Sequence, residues 1–145
     1  MENSISRFTE QYARYYGQVA RELRNGRKES HWMWFIFPQI KGLGHSSTAV
    51  YYAIRDLEEA KEFLRSPCGE KMQNLLKILL EQNGGNPELI FGYIDAMKLA
   101  SSMTLFAEAA PENPVFLQVL DKFYKGKKDG RTLSILSLLR ESAGL

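Results

Sequence analysis

The chain has 145 residues, a formal net charge of +2 from 19 basic and 17 acidic side chains, and a hydrophobic share of 44 %. That length suits one domain around one core, and a charge so near balance gives no argument for a nucleic acid partner or an anionic membrane. Cys68, the single cysteine, cannot close an intramolecular disulfide, which points to a reducing cytoplasmic setting. The opening MENSISRFTEQYARYY has neither a basic start nor an apolar core, so no secretory leader is expected, and no apolar run approaches the length of a membrane span.

From Ser4 to Arg24, apolar residues recur at Ile5, Phe8, Tyr12, Tyr16, Val19 and Leu23, spacings that put them on one face of a helix closed by Asn25 and Gly26. Arg24, Arg27 and Lys28 at its exit complement the helix dipole and read as a solvated basic face rather than an anion site. The stretch SHWMWFIFPQIKGLGHSS, Ser30 to Ser47, then gathers both tryptophans and both histidines beside a glycine turn. Its first half, His31 to Phe37, is so uniformly apolar that strand and helix periods both fit. Helical surroundings, a capping Ser30 and the stop at Pro38 favour a helix. Its second half carries Gln39, Lys41, His45, Ser46 and Ser47 around Gly42 and Gly44.

Ser46 or Ser47 can cap a short helix through Val50, Tyr51 and Ile54. Asp56 with Glu59 has the spacing of a capping box and opens a helix bearing Leu57, Ala60, Phe63 and Leu64. Ser66 and Pro67 start the next, with Met72, Leu75, Leu76, Leu79 and Leu80 inward and a stop at Asn83, Gly84 and Gly85. Asn86 and Pro87 repeat that signature ahead of Leu89, Ile90 and Phe91, and Gly92 interrupts. Asp95 then precedes AMKLASSMTLFAEAA, whose core stripe is Ala96, Leu99, Met103 and Phe106. Asn113 and Pro114 lead into Val115 to Lys125, and Asp129 or Thr132 starts a last helix marked by Leu133, Leu136 and Leu139 or Arg140. These elements predict an all-α fold, one compact domain over residues 1–145 with seven to eight short helices in an orthogonal or irregular bundle.

No helix carries a His pair, or a His and a carboxylate, at zinc-ligand spacing, so no metal is expected; the GLG turn fits neither the P-loop nor the dinucleotide fingerprint, so no cofactor is expected either. Trp32 and Trp34, two residues apart, cannot both be buried on one helical face, which leaves one to line a cleft. Cys68 stands at a helix start, where the dipole would lower a thiol pKa, yet with no histidine partner it reads as packed and inert. Ser101, Ser102 and Thr104 are odd choices in mid-helix, and two explanations stay open: helix packing through small residues, or hydrogen bonds to a ligand.

The segments SHWMWFIFPQIKGLGHSSTA with the following YYAI, then FGYIDAMKLASSMTLF, and the C-terminal FYKG and DGRTL, resemble the bacterial family catalogued as domain of unknown function 1810 over nearly the whole chain. The resemblance implies a small, mainly helical cytoplasmic domain with no established activity. The calpastatin label some members carry finds no support here, for nothing resembles a repeated, disordered protease inhibitor. The family pattern falls on His31, Trp32, Trp34, Phe37, Pro38, Gln39, Gly42, Leu43, Gly44 and Ser46, and again on Asp95, Lys98, Ser101, Ser102, Thr104 and Phe106. It departs at Ser66-Pro67-Cys68-Gly69, where the family tends to read His-Pro-x-Leu-Gly, so a histidine role there is closed to this chain. A more distant likeness, to the NADAR family that processes ADP-ribose derivatives, is suggested by the FP segment, the YYA helix and the late DG turn.

These readings converge on a cleft between the glycine turn and the helix from Asp95 to Thr104, taking a small anionic or nucleotide-like ligand. In it His31, Trp32 or Trp34, Gly42 and Gly44 shape or stack, Lys41 and Lys98 meet negative charge, and Gln39, Ser46, Ser101, Ser102 and Thr104 orient. If the protein is an enzyme, for instance a hydrolase related to ADP-ribose metabolism, Asp95 and His45 are the general acid or base candidates. The alternative is a protein-interaction module presenting the same aromatics as a patch. The sequence sets no oligomeric state.

Overall fold

A computed structural model describes residues 5–143. Its nine helices among those residues are α1 (Ser6–Arg24), α2 (Met33–Ile36), α3 (Ser47–Tyr52), α4 (Leu57–Arg65), α5 (Pro67–Leu80), α6 (Pro87–Phe91), α7 (Tyr93–Ala109), α8 (Val115–Tyr124) and α9 (Gly130–Ala143). The count exceeds seven to eight because α2 and α6, of four and five residues, are single turns. No strand occurs among the described residues. The nearest approach to one is a lone parallel bridge, Ile40 to Ile54, in which Lys41 N donates to Ile54 O and Ile54 N to Gln39 O, both at 2.8 Å.

Helix α7 is the spine. Every residue from Ser101 to Ala107 is buried, because α4, α8, α9 and α6 pack around it; a helix enclosed on all sides loses the amphipathic contrast that α1 and α4 show. A file of rings threads the bundle: Phe8 of α1 meets Phe63 of α4 edge-on at 5.1 Å, Phe63 meets Phe106 of α7 at 5.4 Å, and Phe106 meets Phe116 of α8 at 5.7 Å. Such pairs add about 0.5–1.5 kcal/mol each beyond the area they bury.

The start signals work as expected at Ser46, Asp56, Asn86 and Asn113, whose side chains accept from Ala49 N, Glu59 N, Glu88 N and Val115 N. The Asp56 box is only half closed, since the Glu59 carboxylate turns to Arg55 N and to the Arg7 guanidinium. Two boundaries differ from expectation. Ser30 does not cap a helix over His31 to Phe37, because its hydroxyl is drawn to Glu22, and only Met33–Ile36 is helical. Helix α7 begins at Tyr93 rather than after Asp95, because Gly92, at φ +80°, turns the chain sharply out of α6 in a conformation closed to most residues.

The mid-helix hydroxyls of α7 serve its neighbour α9. Ser101 Oγ donates to Asp129 Oδ2 at 3.2 Å, and Thr104 Oγ1 accepts from Asp129 N at 2.8 Å. Asp129 in turn caps α9 by accepting from Thr132 N and Oγ1 at 3.0 and 2.6 Å. Replacing this aspartate by alanine removes a cap and takes the acceptor from the buried Thr132 hydroxyl, whereas Ser101 Oγ keeps Met97 O at 3.2 Å. We therefore expect Asp129→Ala to cost about 1–2 kcal/mol in urea unfolding and to lower helical circular dichroism through α9 alone; an unchanged midpoint would refute this docking role.

Candidate functional site

The site is built outward from α1. Glu22 is 7 % exposed and accepts from Glu29 N at 2.7 Å, Ser30 N at 3.1 Å, Ser30 Oγ at 2.7 Å, Trp32 Nε1 at 3.0 Å and Gln18 Nε2 at 3.3 Å. Burial alone would raise its pKa, but hydrogen bonds from Glu29, Ser30 and Trp32 to the charged form prevail and hold it down to about 2. One carboxylate thus sets the loop from Glu29 to Trp32 and locks the Trp32 indole inside the core.

The same loop carries Lys28 under the corner between α6 and α7. Its backbone N donates to Ile90 O at 2.7 Å, its Nζ donates to Ser30 O, and its ammonium stands 2.9 Å from Asp95 Oδ2 and 5.0 Å from the centre of the Trp32 ring. With 7 % of its side chain exposed, Lys28 is a buried, paired cation and not part of a solvated face. Asp95 also faces Lys98, one turn along α7, at the looser distance of 3.7 Å, and Lys98 Nζ lies 5.2 Å over the Trp34 ring.

Between these groups opens a cleft of about 480 Å³. Met33, Trp34 and Phe91 wall it, Tyr93 and Ile94 stand at its lip, and Lys28, His31, Asp95 and Lys98 supply its charge and polarity. The first turn of α7 has no side-chain cap, and Gly92 to Asp95 all border the cleft, so that end of the helix adds positive potential to the two lysines. The combination is suited to holding a negative group beside a flat apolar one.

Of the sequence-expected residues, His31, Trp34, Asp95 and Lys98 meet in this cleft. The others are placed elsewhere, and the expected facing of glycine turn and α7 is corrected accordingly. Trp32 is fully buried behind the loop. Gln39 and Gly44 border Trp34 on another side, together with Tyr52, in a separate recess. Gly42 packs toward α9, where a Cβ would come within 3.2 Å of Ile135 Cδ1. Lys41 and His45 are exposed on the turn and line no part of the cleft, so His45 and Asp95 are not assembled as an acid and base pair. Ser46 is spent as the α3 cap, and Ser101 and Thr104 on α9. Ser102 is buried with its hydroxyl unpartnered, away from the cleft lining. The Ile40 to Ile54 bridge accounts for the turn's displacement, since it closes the loop back on itself beside α3.

The lining residues that pattern reading missed are Lys28, Met33, Phe91, Gly92, Tyr93 and Ile94. One signal for them was present: the run LIFGYI holds more apolar side chains than two helix ends broken by a glycine can bury. Cys68 is buried and its thiol is pushed up by that burial, against the lowering expected at a helix start. Among the described residues no three His, Cys, Asp or Glu side chains gather as metal ligands would, and no helix is long and apolar enough to cross a membrane.

The crystal structure of the conserved hypothetical protein Rv1873 from Mycobacterium tuberculosis is similar to this fold with a TM-score of 0.89, at 44 % identity, over 92 % of this chain and 96 % of that one. No curated protein matches the chain. The model of a family described as protein of unknown function (DUF1810) matches residues 2–136, and with that span matched the chain belongs to the DUF1810 family.

Proposed function

We propose that the cleft beside the α6 to α7 corner binds a small anionic ligand that carries a flat ring. The observation that supports this most is the placement of Lys98, whose ammonium lies over the Trp34 indole and beside Asp95 within the cleft of about 480 Å³. An ammonium, an indole face and a buried second lysine in one concavity offer charge and stacking to the same molecule. Binding rather than turnover is the favoured reading, because Asp95, the one carboxylate of the lining, has its two oxygens turned to Lys28 and Lys98.

A thermal-shift panel of nucleotides, ADP-ribose, sugar phosphates and aromatic acids tests it. A ligand present at a hundredfold excess over its Kd adds about 2.7 kcal/mol to the folded state, which raises the melting temperature by several degrees. Lys98→Ala should leave the ligand-free melting temperature nearly unchanged, at a cost near 0.5 kcal/mol, and remove most of the shift. An equal shift in that variant would place the ligand outside the cleft.

One observation favours a second reading, that of an interaction module. Leu89, Tyr93 and Ile94 are 76 %, 66 % and 65 % exposed, and Met97 continues their surface along α7. Tyr93 also walls a second depression of about 430 Å³ with Met97 and Tyr124. A panel without any stabilising member would move the assignment to this apolar corner.

A further inference from the structure

We propose that the cleft selects an aromatic ligand bearing a single negative charge, because the cation that would meet the charge is the one covering the stacking face. This rests on the binding reading above and narrows its ligand class. The two lysines of the cleft are not equivalent. Lys28 is held by Asp95 Oδ2 at 2.9 Å, by Ser30 O and over the Trp32 ring, with 7 % of its side chain exposed. Lys98 is held only by the 3.7 Å approach to Asp95 and by the Trp34 ring, with 28 % exposed. Lys28 and Asp95 therefore remain a pair, and Lys98 is the cation able to turn to a ligand. Lys28, Asp95 and Lys98 together leave one unmatched positive charge.

Charge and stacking are coupled through this side chain. The Lys98 ammonium lies over the Trp34 face in a cation–π contact. A neutral ring must displace it without compensation. A ring bearing a carboxylate draws the ammonium to itself and uncovers the indole in the same movement. Met33, Phe91 and Ile94 give the lining an apolar part without side-chain donors, and His31, Trp34 and Tyr93 supply its polar groups beside Lys28, Asp95 and Lys98. The hydroxyls and amide expected to orient the ligand, those of Ser101, Thr104 and Gln39, are engaged elsewhere or lie in the separate recess. A ribose diphosphate would bring two charges and several hydroxyls to a site with one spare cation.

The test is an NMR titration of nitrogen-labelled protein with naphthoate, its neutral amide naphthamide, and ADP-ribose, following the two indole Nε1–H signals. Trp32, bonded to Glu22 at 3.0 Å, is the internal control. The proposal expects naphthoate to move the Trp34 signal and not that of Trp32, and naphthamide and ADP-ribose to bind about tenfold or more weakly. In Lys98→Ala the naphthoate affinity should fall about tenfold while that of naphthamide rises, and Lys98→Arg should keep the native order. A loss of packing alone would lower both ligands together, and the dispersion of the spectrum shows whether each variant is folded. Equal affinities for naphthoate and naphthamide in the native protein overturn the coupling. Binding of ADP-ribose at Trp34 without naphthoate overturns the monoanion preference and leaves the cleft reading standing, whereas silence from all three overturns both.

Discussion

Glu22→Ala is expected to destabilise the fold by about 3–5 kcal/mol, the range for breaking a buried charged network. The reason is the number of donors that converge on one carboxylate. Two backbone N–H groups, the Trp32 indole and the Ser30 hydroxyl all lose their acceptor together, and the Gln18 amide is left with Ser30 Oγ alone. Glu22→Gln keeps one oxygen for the three donors that share Oε1, but it presents an amide NH₂ toward Gln18 Nε2, donor against donor, so about 1–2 kcal/mol is expected there. The same group sets an acid limit. Its pKa lies at about 2 in the fold against an ordinary 4.5, so its charged form stabilises the folded state fully above pH 4.5, and that stabilisation is lost as the pH falls toward 2. The difference corresponds to about 3 kcal/mol. Urea unfolding of native protein and Glu22→Gln between those pH values measures it: the native midpoint should fall more steeply. Parallel curves would show that the carboxylate is not the group responsible.

Gly69→Ala is the second large effect. Ser66 ends α4 and enters α5, so the chain reverses with almost no connecting segment, and Gly69 lies directly on the end of the preceding helix. A Cβ there would stand 2.3 Å from Leu64 O, 2.5 Å from its Cα and 2.6 Å from its carbonyl carbon, all backbone atoms with no rotamer to yield. The junction between the helices must open, and α5 carries much of the buried contact with α1. About 2–4 kcal/mol is expected, the upper range of overpacking, read as a melting temperature lower by about 10 °C. Gly92→Ala is the control, for no atom lies within 4 Å of its Cβ position and only the cost of φ +80° applies, about 1–2 kcal/mol. A Gly69→Ala protein as stable as Gly92→Ala would mean that the junction relaxes freely.

Local chemistry made most of the fold readable. Asp56, Asn86 and Pro87 announce helix starts through bonds made within a few residues, and the spacing from Phe8 to Leu23 announces a face through its period alone. What depends on distant partners was not readable. The Ser30 hydroxyl has the same chemistry whether it caps a helix or bonds Glu22, and only the return of the loop against α1 decides between them. Lys28 is a further case: beside Arg24 and Arg27 it looks like one more solvated cation, and its burial is set by Asp95, 67 positions later in the chain. Four of the ten lining residues, His31, Trp34, Asp95 and Lys98, were nonetheless visible, because they stood out by residue type. The glycine turn misled for a physical reason, since glycines that allow close approach to a ligand equally allow close approach to Ile135 and Ala49.

The bridge between Ile40 and Ile54 has a mechanical consequence. Both isoleucines are fully buried and the two bonds at their neck tie off the intervening chain, while α3 within it contributes no buried residue. The segment from Lys41 to Ala53 is fastened to the bundle beyond that neck as well, for Tyr52 packs on Phe8 and Phe35 and accepts from Gln11 Nε2 at 3.0 Å, and Ala53 O accepts from Arg7 at 2.8 Å. Tyr52 and Gly44 from this segment back the Trp34 indole. The aromatic wall of the cleft is in this way backed from behind by a loop that shares none of its lining.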